Sequence, residues 1–243
     1  MGTYYKDCPR CSGINKMGVT TKNGMELYHC FKCHFKGRTP VDAKYSDYTR
    51  NTGGSGNKRY EVPVEELEER LVSCDQVEPA RLYLKSVHAD SYPDSVRVKY
   101  DPKYKRVVFI YKDLYHGRSI MLGGDPKWYK YYTNRTPFLV APRGKGVIVL
   151  VEDCPSAINC SKVYDSMAIL GTNWPSEYES YLADYDRVLV ALDEDATDKA
   201  AEMVKQINWY KPAELVILRR DLKYLHAPEL ELLLKHRCKE EVK

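Results

Sequence analysis

The sequence contains no run of about 18 consecutive apolar residues, so no segment is expected to cross a bilayer as a helix. Its first residues, Met1-Gly2-Thr3-Tyr4-Tyr5-Lys6-Asp7-Cys8, lack an apolar stretch between a basic start and a cleavage site, and no secretion signal is expected. Nowhere does Gly-Lys-Ser or Gly-Lys-Thr close a glycine-rich loop. That excludes nucleotide hydrolysis by a P-loop and leaves no helicase motif. Phenylalanine is scarce, 4 against 21 tyrosines, so the aromatic surface carries hydroxyls. Eight cysteines without a secretion signal point to a reducing compartment and to metal rather than disulfides. Hydrophobic residues at 43% and charged residues at 30% exclude wholesale disorder, and 243 residues allow one large domain or two small ones.

The net charge of +4 is an average over opposed blocks. Residues 1–60 carry +7, 61–96 carry −6, 97–143 carry +8 and 144–243 carry −5. Each change of sign coincides with a change of texture. Residues 1–40 hold the paired cysteines and little apolar content. Residues 41–60 are polar and aperiodic around Asn51-Thr52-Gly53-Gly54-Ser55-Gly56-Asn57, the composition of a flexible linker. The sequence predicts an acidic helix from about 62, with Pro63 near its start, and a second over 78–86 with Pro79 in its first turn, where a missing N–H costs nothing. Strands are expected at 96–100 and 106–111. Beyond Gly144, short apolar runs at 147–151, 167–170, 187–192 and 214–218 alternate with helical windows at 156–164, 176–183, 196–209 and 228–236. Continuous, non-alternating strands between helices imply a parallel sheet covered on both faces, hence an α/β fold.

Cys8-Pro9-Arg10-Cys11 and Cys30-Phe31-Lys32-Cys33 form two C-x-x-C pairs. Four thiolates on two knuckles can surround one tetrahedral zinc at about 2.3 Å. Asn23-Gly24 between them is a hairpin-turn signal, so the module reads as a ribbon whose folding energy comes from the metal. His29 is an alternative ligand; with four cysteines bound, it faces a partner instead. Cys74, Cys154, Cys160 and Cys238 lack metal-ligand spacing and read as inert.

The run Val147–Val151 ends in Glu152-Asp153, and Val188–Leu192 ends in Asp193-Glu194-Asp195. Ligand sites of open parallel sheets lie beyond the carboxyl ends of the strands. In an extended segment Asp193 and Asp195 project together. Carboxylates so close call for a hard cation, Mg²⁺ or Mn²⁺, on Glu152, Asp193 and Asp195, although a solvated loop gives the same letters. Asp198 reads equally as a helix-dipole partner.

These motifs carry a resemblance. A strand followed by Glu152 and a strand followed by Asp193-x-Asp195 resemble the Toprim domain of bacterial-type primases, topoisomerases and some nucleases. Cys8-Pro9-x-Cys11 with Tyr28-His29-Cys30-Phe31-Lys32-Cys33 and Gly37 resembles the zinc-binding domain of primases. Gly117-Arg118-Ser119-Ile120 and Asp125-Pro126-Lys127-Trp128-Tyr129 are similar to the basic subdomain of phage primases. The ordered set resembles the primase half of short-tailed-phage primase–helicases, without the helicase. It implies four parts: a zinc ribbon at 1–40, a linker at 41–60, a basic α+β RNA-polymerase subdomain at 61–143 and a Toprim domain at 144–243. One departure stands out, because Glu152-Asp153-Cys154-Pro155-Ser156 has Ser156 where the family has a second acid and Asp153 where it has glycine. Asp153 is the candidate substitute for that acid, and Asp221 the candidate third acidic position.

The implied activity is RNA primer synthesis on single-stranded DNA from ribonucleoside triphosphates in the bacterial cytoplasm, beside a separate replicative helicase. Lys105, Arg106, Arg118, Lys127 and Lys130 are the candidate phosphate contacts. Trp128, Tyr111, Tyr129, Tyr131 and Tyr132 are candidates to stack on bases at roughly 1–3 kcal/mol each, with about half of these aromatics expected in the sheet core instead. His29, Lys32 and Arg10 are candidates to read template bases. Glu152 serves either as metal ligand or as general base. The competing readings are a non-catalytic ribbon-plus-Toprim recombination mediator and a Toprim nuclease.

Overall fold

The computed structural model describes residues 3–8, 16–22, 25–31, 36–40, 63–121, 126–132 and 135–237. The linker at 41–60, the Asn23-Gly24 turn, Arg10, Cys11, Lys32, Cys33, Asp125 and Cys238 lie outside them. The chain divides into two compact units, Met1–Tyr60 and Glu61–Lys243.

The first unit is an antiparallel meander of β1 (Thr3–Lys6), β2 (Met17–Lys22), β3 (Met25–Cys30) and β4 (Lys36–Pro40). Its register sets Lys6 against Met17 and Met17 against Cys30. Cys8, Met17, Val19, Tyr28 and Cys30 form a single small buried cluster.

The second unit opens with α1 (Val64–Arg70), which Pro63 caps, and continues through β5 (Val72–Ser73) to α2 (Glu78–Ser86). Both helices start next to prolines, as the sequence predicts. An antiparallel sheet follows: β6 (Arg97–Asp101), β7 (Arg106–Tyr111), β8 (Leu114–Ser119) and β9 (Trp128–Lys130), in the order β5-β6-β7-β8-β9. Gly117 in β8 is a steric requirement, since a Cβ there would lie 2.9 Å from the Tyr131 ring and 3.2 Å from Arg106 Cδ. Asp101, fully buried at the end of β6, anchors this sheet to α1. It accepts Arg70 Nε and Nη2 at 3.0 Å each and Tyr131 Oη at 2.7 Å.

The second sheet comprises β10 (Phe138–Val140), β11 (Gly146–Val151), β12 (Asp165–Ala168), β13 (Tyr185–Val190) and β14 (Ala213–Leu215), in the order β10-β12-β11-β13-β14. Four strands run parallel, as expected. The sheet is nevertheless mixed, because β10 joins β12 antiparallel at one edge. Phe138-Leu139-Val140 is only three residues long, too short to show a period in sequence. Along β11 the side chains alternate between two cores. Ile148 and Leu150 join a cluster with α4 (Thr197–Ile207) and the 3-10 turn Ser176–Leu182. Val149 and Val151 face the other core, shared with α3 (Cys154–Cys160) and α5 (Ala227–Arg237). That second core runs on into the antiparallel sheet through Phe109, Tyr100 and α2 residues Ala80 and Leu84. Burying each such leucine contributes about 1.5–3 kcal/mol. The window expected to be helical at 176–183 is instead the 3-10 segment Ser176–Leu182. Among the described residues no helix is long and apolar enough to cross a membrane.

Candidate active site

The carboxyl ends of β11, β13 and β14 lie side by side, and each delivers acidic residues. Glu152 follows β11 directly and is half-buried. Asp153 is the N-cap of α3: Ser156 N donates to its Oδ1 at 3.0 Å, while Lys223 Nζ donates to its Oδ2 at 3.0 Å. Asp193 closes the β13 segment, and Asp221 precedes the 3-10 turn Leu222–Tyr224. Lys223, only 7% exposed, sits at the centre. Its ammonium is 2.7 Å from Asp221 Oδ2, 3.0 Å from Asp153 Oδ2 and 3.5 Å from Asp193 Oδ2. Sequence reading did not find Lys223, because a lone lysine in Arg219-Arg220-Asp221-Leu222-Lys223 has no periodic or spacing signature.

Asn159 holds this arrangement from beneath. Its Nδ2 donates to the carbonyls of Leu222 and Leu225 at 2.8 Å each, tying α3 to the turn that carries Asp221 and Lys223. Asn159 is 1% exposed, and its two bonds fix the turn relative to α3, whose N-cap is Asp153.

The electrostatics of the crevice are uneven. Burial would lower the Lys223 pKa, but Asp153, Asp221 and Asp193 reverse this and hold it well above the ordinary lysine value. Burial also raises the Asp193 carboxyl, with Lys223 pulling the other way. Glu152 is pushed up to about 7 by burial and by the charges of Asp193, Asp153 and Asp195, which Lys223 offsets only in part. A carboxylate so destabilised marks a place short of positive charge. The hydroxyl of Ser156, 1% exposed one turn into α3, has no hydrogen-bond partner among the described residues.

Asp195 departs from the expected geometry. The chain turns into the 3-10 segment Glu194–Ala196 immediately after Asp193, so the strand-like alternation that would align the two side chains stops there. Asp195 is exposed at the rim, close enough to act on Glu152 but outside the Lys223 cluster. Among the described residues no three Asp, Glu, His or Cys side chains are gathered tightly enough to ligate one ion as they stand. The donors are hard carboxylate oxygens on one crevice, the chemistry that suits Mg²⁺ or Mn²⁺. Chelation of one ion by Glu152, Asp193 and Asp195 requires side-chain rotation.

The antiparallel sheet supplies the cations. Arg118 in β8 lies 5.3 Å from the Trp128 ring, and its Nε is buried without a partner among the described residues. Trp128 stacks on His116 with centroids 4.7 Å apart, and His116 Nδ1 lies 3.7 Å from the thiol of Cys154, the first residue of α3. Burial holds the His116 pKa down to about 3, so the imidazole is neutral. Tyr83 on α2 has its pKa raised chiefly by burial, with the charges of Arg118 and Lys223 pulling the other way. Tyr83, Tyr224 and Asn159 were not among the sequence candidates.

Register brings Lys105, Arg106, Arg118 and Lys127 to one end of this sheet, since Arg106 pairs with Ser119, Arg118 with Trp128, and Ser119 N donates to Lys127 O at 3.0 Å. Lys105, in a left-handed conformation (φ 51°), and Lys127 are exposed. Arg106 is placed differently: it is 7% exposed and its guanidinium donates to Pro126 O at 2.8 Å, holding the sheet's own turn. Lys130 is half-buried opposite His116. Of the candidate stacking aromatics, Tyr131 is buried on Asp101, and Tyr132 packs edge-on to Tyr115. Trp128, Tyr129 and Tyr111 are half-buried. His29 lies in β3 with its ring 5.0 Å from Phe31. Cys8 and Cys30 are buried in the first unit, while Cys11 and Cys33 are outside the described residues. The thiols of Cys74, Cys154 and Cys160 are buried and held above their ordinary pKa, as inert cysteines are.

Compared with protein-family models and with curated proteins, the sequence matches none.

Proposed function

We propose that this protein is a DNA primase, a DNA-directed RNA polymerase joining ribonucleotides on a single-stranded template, with a Toprim-type catalytic crevice and a four-cysteine zinc ribbon. The observation that carries the reading is the meeting of two opposed charge sets. Acids from the ends of three parallel strands share one crevice, and Arg118 of the basic sheet connects through Trp128 and His116 to Cys154, next to Asp153 at the start of α3. Acids with nearby basic residues and aromatics form the chemistry that phosphoryl transfer needs, since catalysis there is mostly positioning and charge stabilisation.

Glu152, Asp193 and Asp195 would hold one Mg²⁺ or Mn²⁺, which when bound neutralises triphosphate charge and acidifies the attacking 3′-hydroxyl. Arg118, Lys105 and Lys127 bind phosphates of nucleotide and template. Trp128, backed by His116, offers a rigid ring edge beside Arg118. Glu152, titrating near neutrality, accepts the hydroxyl proton when it is not itself a ligand. Zinc on Cys8, Cys11, Cys30 and Cys33 orders the first unit, whose basic charge draws it to the template. His29 then lies beside the cysteine knuckle to read bases, and a separate helicase supplies the unwound strand.

Incubation with single-stranded DNA, labelled ribonucleoside triphosphates and Mg²⁺ or Mn²⁺ is expected to yield short oligoribonucleotides. Cleavage of the DNA without any nucleotide would favour a nuclease. Binding with neither product, across varied templates and both metals, would favour a recombination mediator and overturn the primase reading.

A further inference from the structure

The five acids of the crevice divide into two groups by their partners. Asp153, Asp193 and Asp221 all lie within 3.5 Å of Lys223 Nζ. Glu152 and Asp195 form no ion pair with any Lys, Arg or His among the described residues. An ammonium has three donors and no acceptor. Here three separate carboxylates meet those three donors, so the hydrogen-bonding capacity of Lys223 is filled. The side chain cannot swing out to water without leaving three carboxylates behind, of which Asp153 is buried. Its backbone is equally fixed, because Asn159 holds the carbonyls on either side of it, Leu222 and Leu225. The lysine is therefore a permanent member of the crevice and not a surface group that has folded in.

Two-metal phosphoryl-transfer sites place their ions about 3.5–4 Å apart with a shared carboxylate between them. Asp193 is the shared group here. One of its oxygens faces Lys223 at 3.5 Å, while Glu152 and Asp195, which meet no cation among the described residues, stay open to a metal ion. We propose that Lys223 is the built-in second cation of this crevice: it stands where a second metal ion would stand, so that the site takes one divalent cation, on Glu152, Asp193 and Asp195, and not two. Asp153 is then explained as well. It stands at the N-cap of α3, where its charge is anchored by Ser156 N and its second oxygen serves Lys223, so it belongs to the lysine's half of the crevice. The inference rests on the metal-binding part of the primase reading, and it concerns the number of ions rather than the reaction.

The test is equilibrium Mn²⁺ binding to the full-length, zinc-loaded chain, with free Mn²⁺ counted by electron paramagnetic resonance. Crevice sites are those lost on replacing Asp193 and Asp195 together by Asn. The wild-type chain is expected to hold one crevice ion, and Lys223→Met is expected to hold two, the second on Asp153, Asp193 and Asp221. If Lys223→Met does not fold, Lys223→Gln, which keeps donors for the carboxylates and removes the charge, is counted instead and is likewise expected to hold two. Two crevice ions in the wild-type chain, or one in the lysine variants with affinity unchanged within twofold, would overturn the inference and leave the metal reading standing. No crevice ion in the wild-type chain would overturn both.

Discussion

Asp153 does two jobs that a pair of substitutions can separate. Asn keeps a cap acceptor for Ser156 N but removes the charge that Lys223 meets, whereas Ala removes both. Loss of an N-cap costs about 0.5–2 kcal/mol. Asp153→Ala is therefore expected to be less stable than Asp153→Asn by about 1 kcal/mol in urea unfolding, with both below the wild-type chain because a buried ammonium loses a partner. Equal stabilities would mean that the cap contributes nothing. Residues of this kind explain what the sequence did and did not reveal at the site. Glu152 and Asp193 stand at the ends of apolar strand runs, where an acid is conspicuous, whereas Asp221 was a candidate only through the family resemblance. Apart from its pairing with nearby Asp221, Lys223 acts, like Asn159, through contacts with residues far away in the sequence, which leave no trace in local pattern. Arg106 was conspicuous for its charge, yet charge alone does not tell a guanidinium that faces a ligand from one that braces a turn.

At the scale of elements, α1 is held to the antiparallel sheet by ion pairs. Arg70 meets Asp101 with two hydrogen bonds of 3.0 Å, and Arg97 pairs with Glu68 at 2.7 Å. The Arg97 pair is exposed and worth little, about 0–1 kcal/mol. Arg70→Met strands a fully buried Asp101 carboxylate with only Tyr131 and a backbone N–H, and is expected to cost about 3–5 kcal/mol. Chemical unfolding checks this, and Arg70→Met combined with Asp101→Leu is expected to recover part of the loss. The element types were legible where an apolar run or a proline start marked them: α2 falls at Glu78–Ser86 and β7 at Arg106–Tyr111, as the sequence predicts. Short edge strands were not, because β9 and β10 have three residues each and are fixed by pairing rather than by period. Nor was the turn after Asp193, where the start of α4 overrides the extended strand and sends Asp195 to the rim.

For the whole molecule, acid sensitivity and zinc dependence are expected in different units. His116 takes up its proton near pH 6.5 in the unfolded chain but only near pH 3 in the folded one. Between those values the unfolded state binds the extra proton, so this residue's contribution to stability is lost as pH falls from about 6.5 towards 3. Glu152 acts in the opposite direction, because its raised pKa favours proton uptake by the folded state between its ordinary value and about 7. The His116 effect is therefore read as a difference: the gap in unfolding free energy between wild type and His116→Gln is expected to narrow on acidification from pH 7 to 5. A constant gap would show that the imidazole is not buried neutral. Zinc removal is expected to act on the other unit, with a chelator unfolding residues 1–60 while the circular dichroism of 61–243 changes little. Unfolding of both together would contradict a zinc-dependent first unit.

The most direct measurement is incorporation of labelled ribonucleotide on a single-stranded template by the wild-type chain and by the variant with Asp193 and Asp195 both replaced by Asn. The wild-type chain is expected to give oligoribonucleotides and the double variant to lose at least about 10³-fold, since transition-state charge stabilisation of this kind is worth several kcal/mol. Full synthesis by the double variant would contradict the assignment of the crevice as the site of chemistry, and absence of product from the wild-type chain would contradict the primase itself.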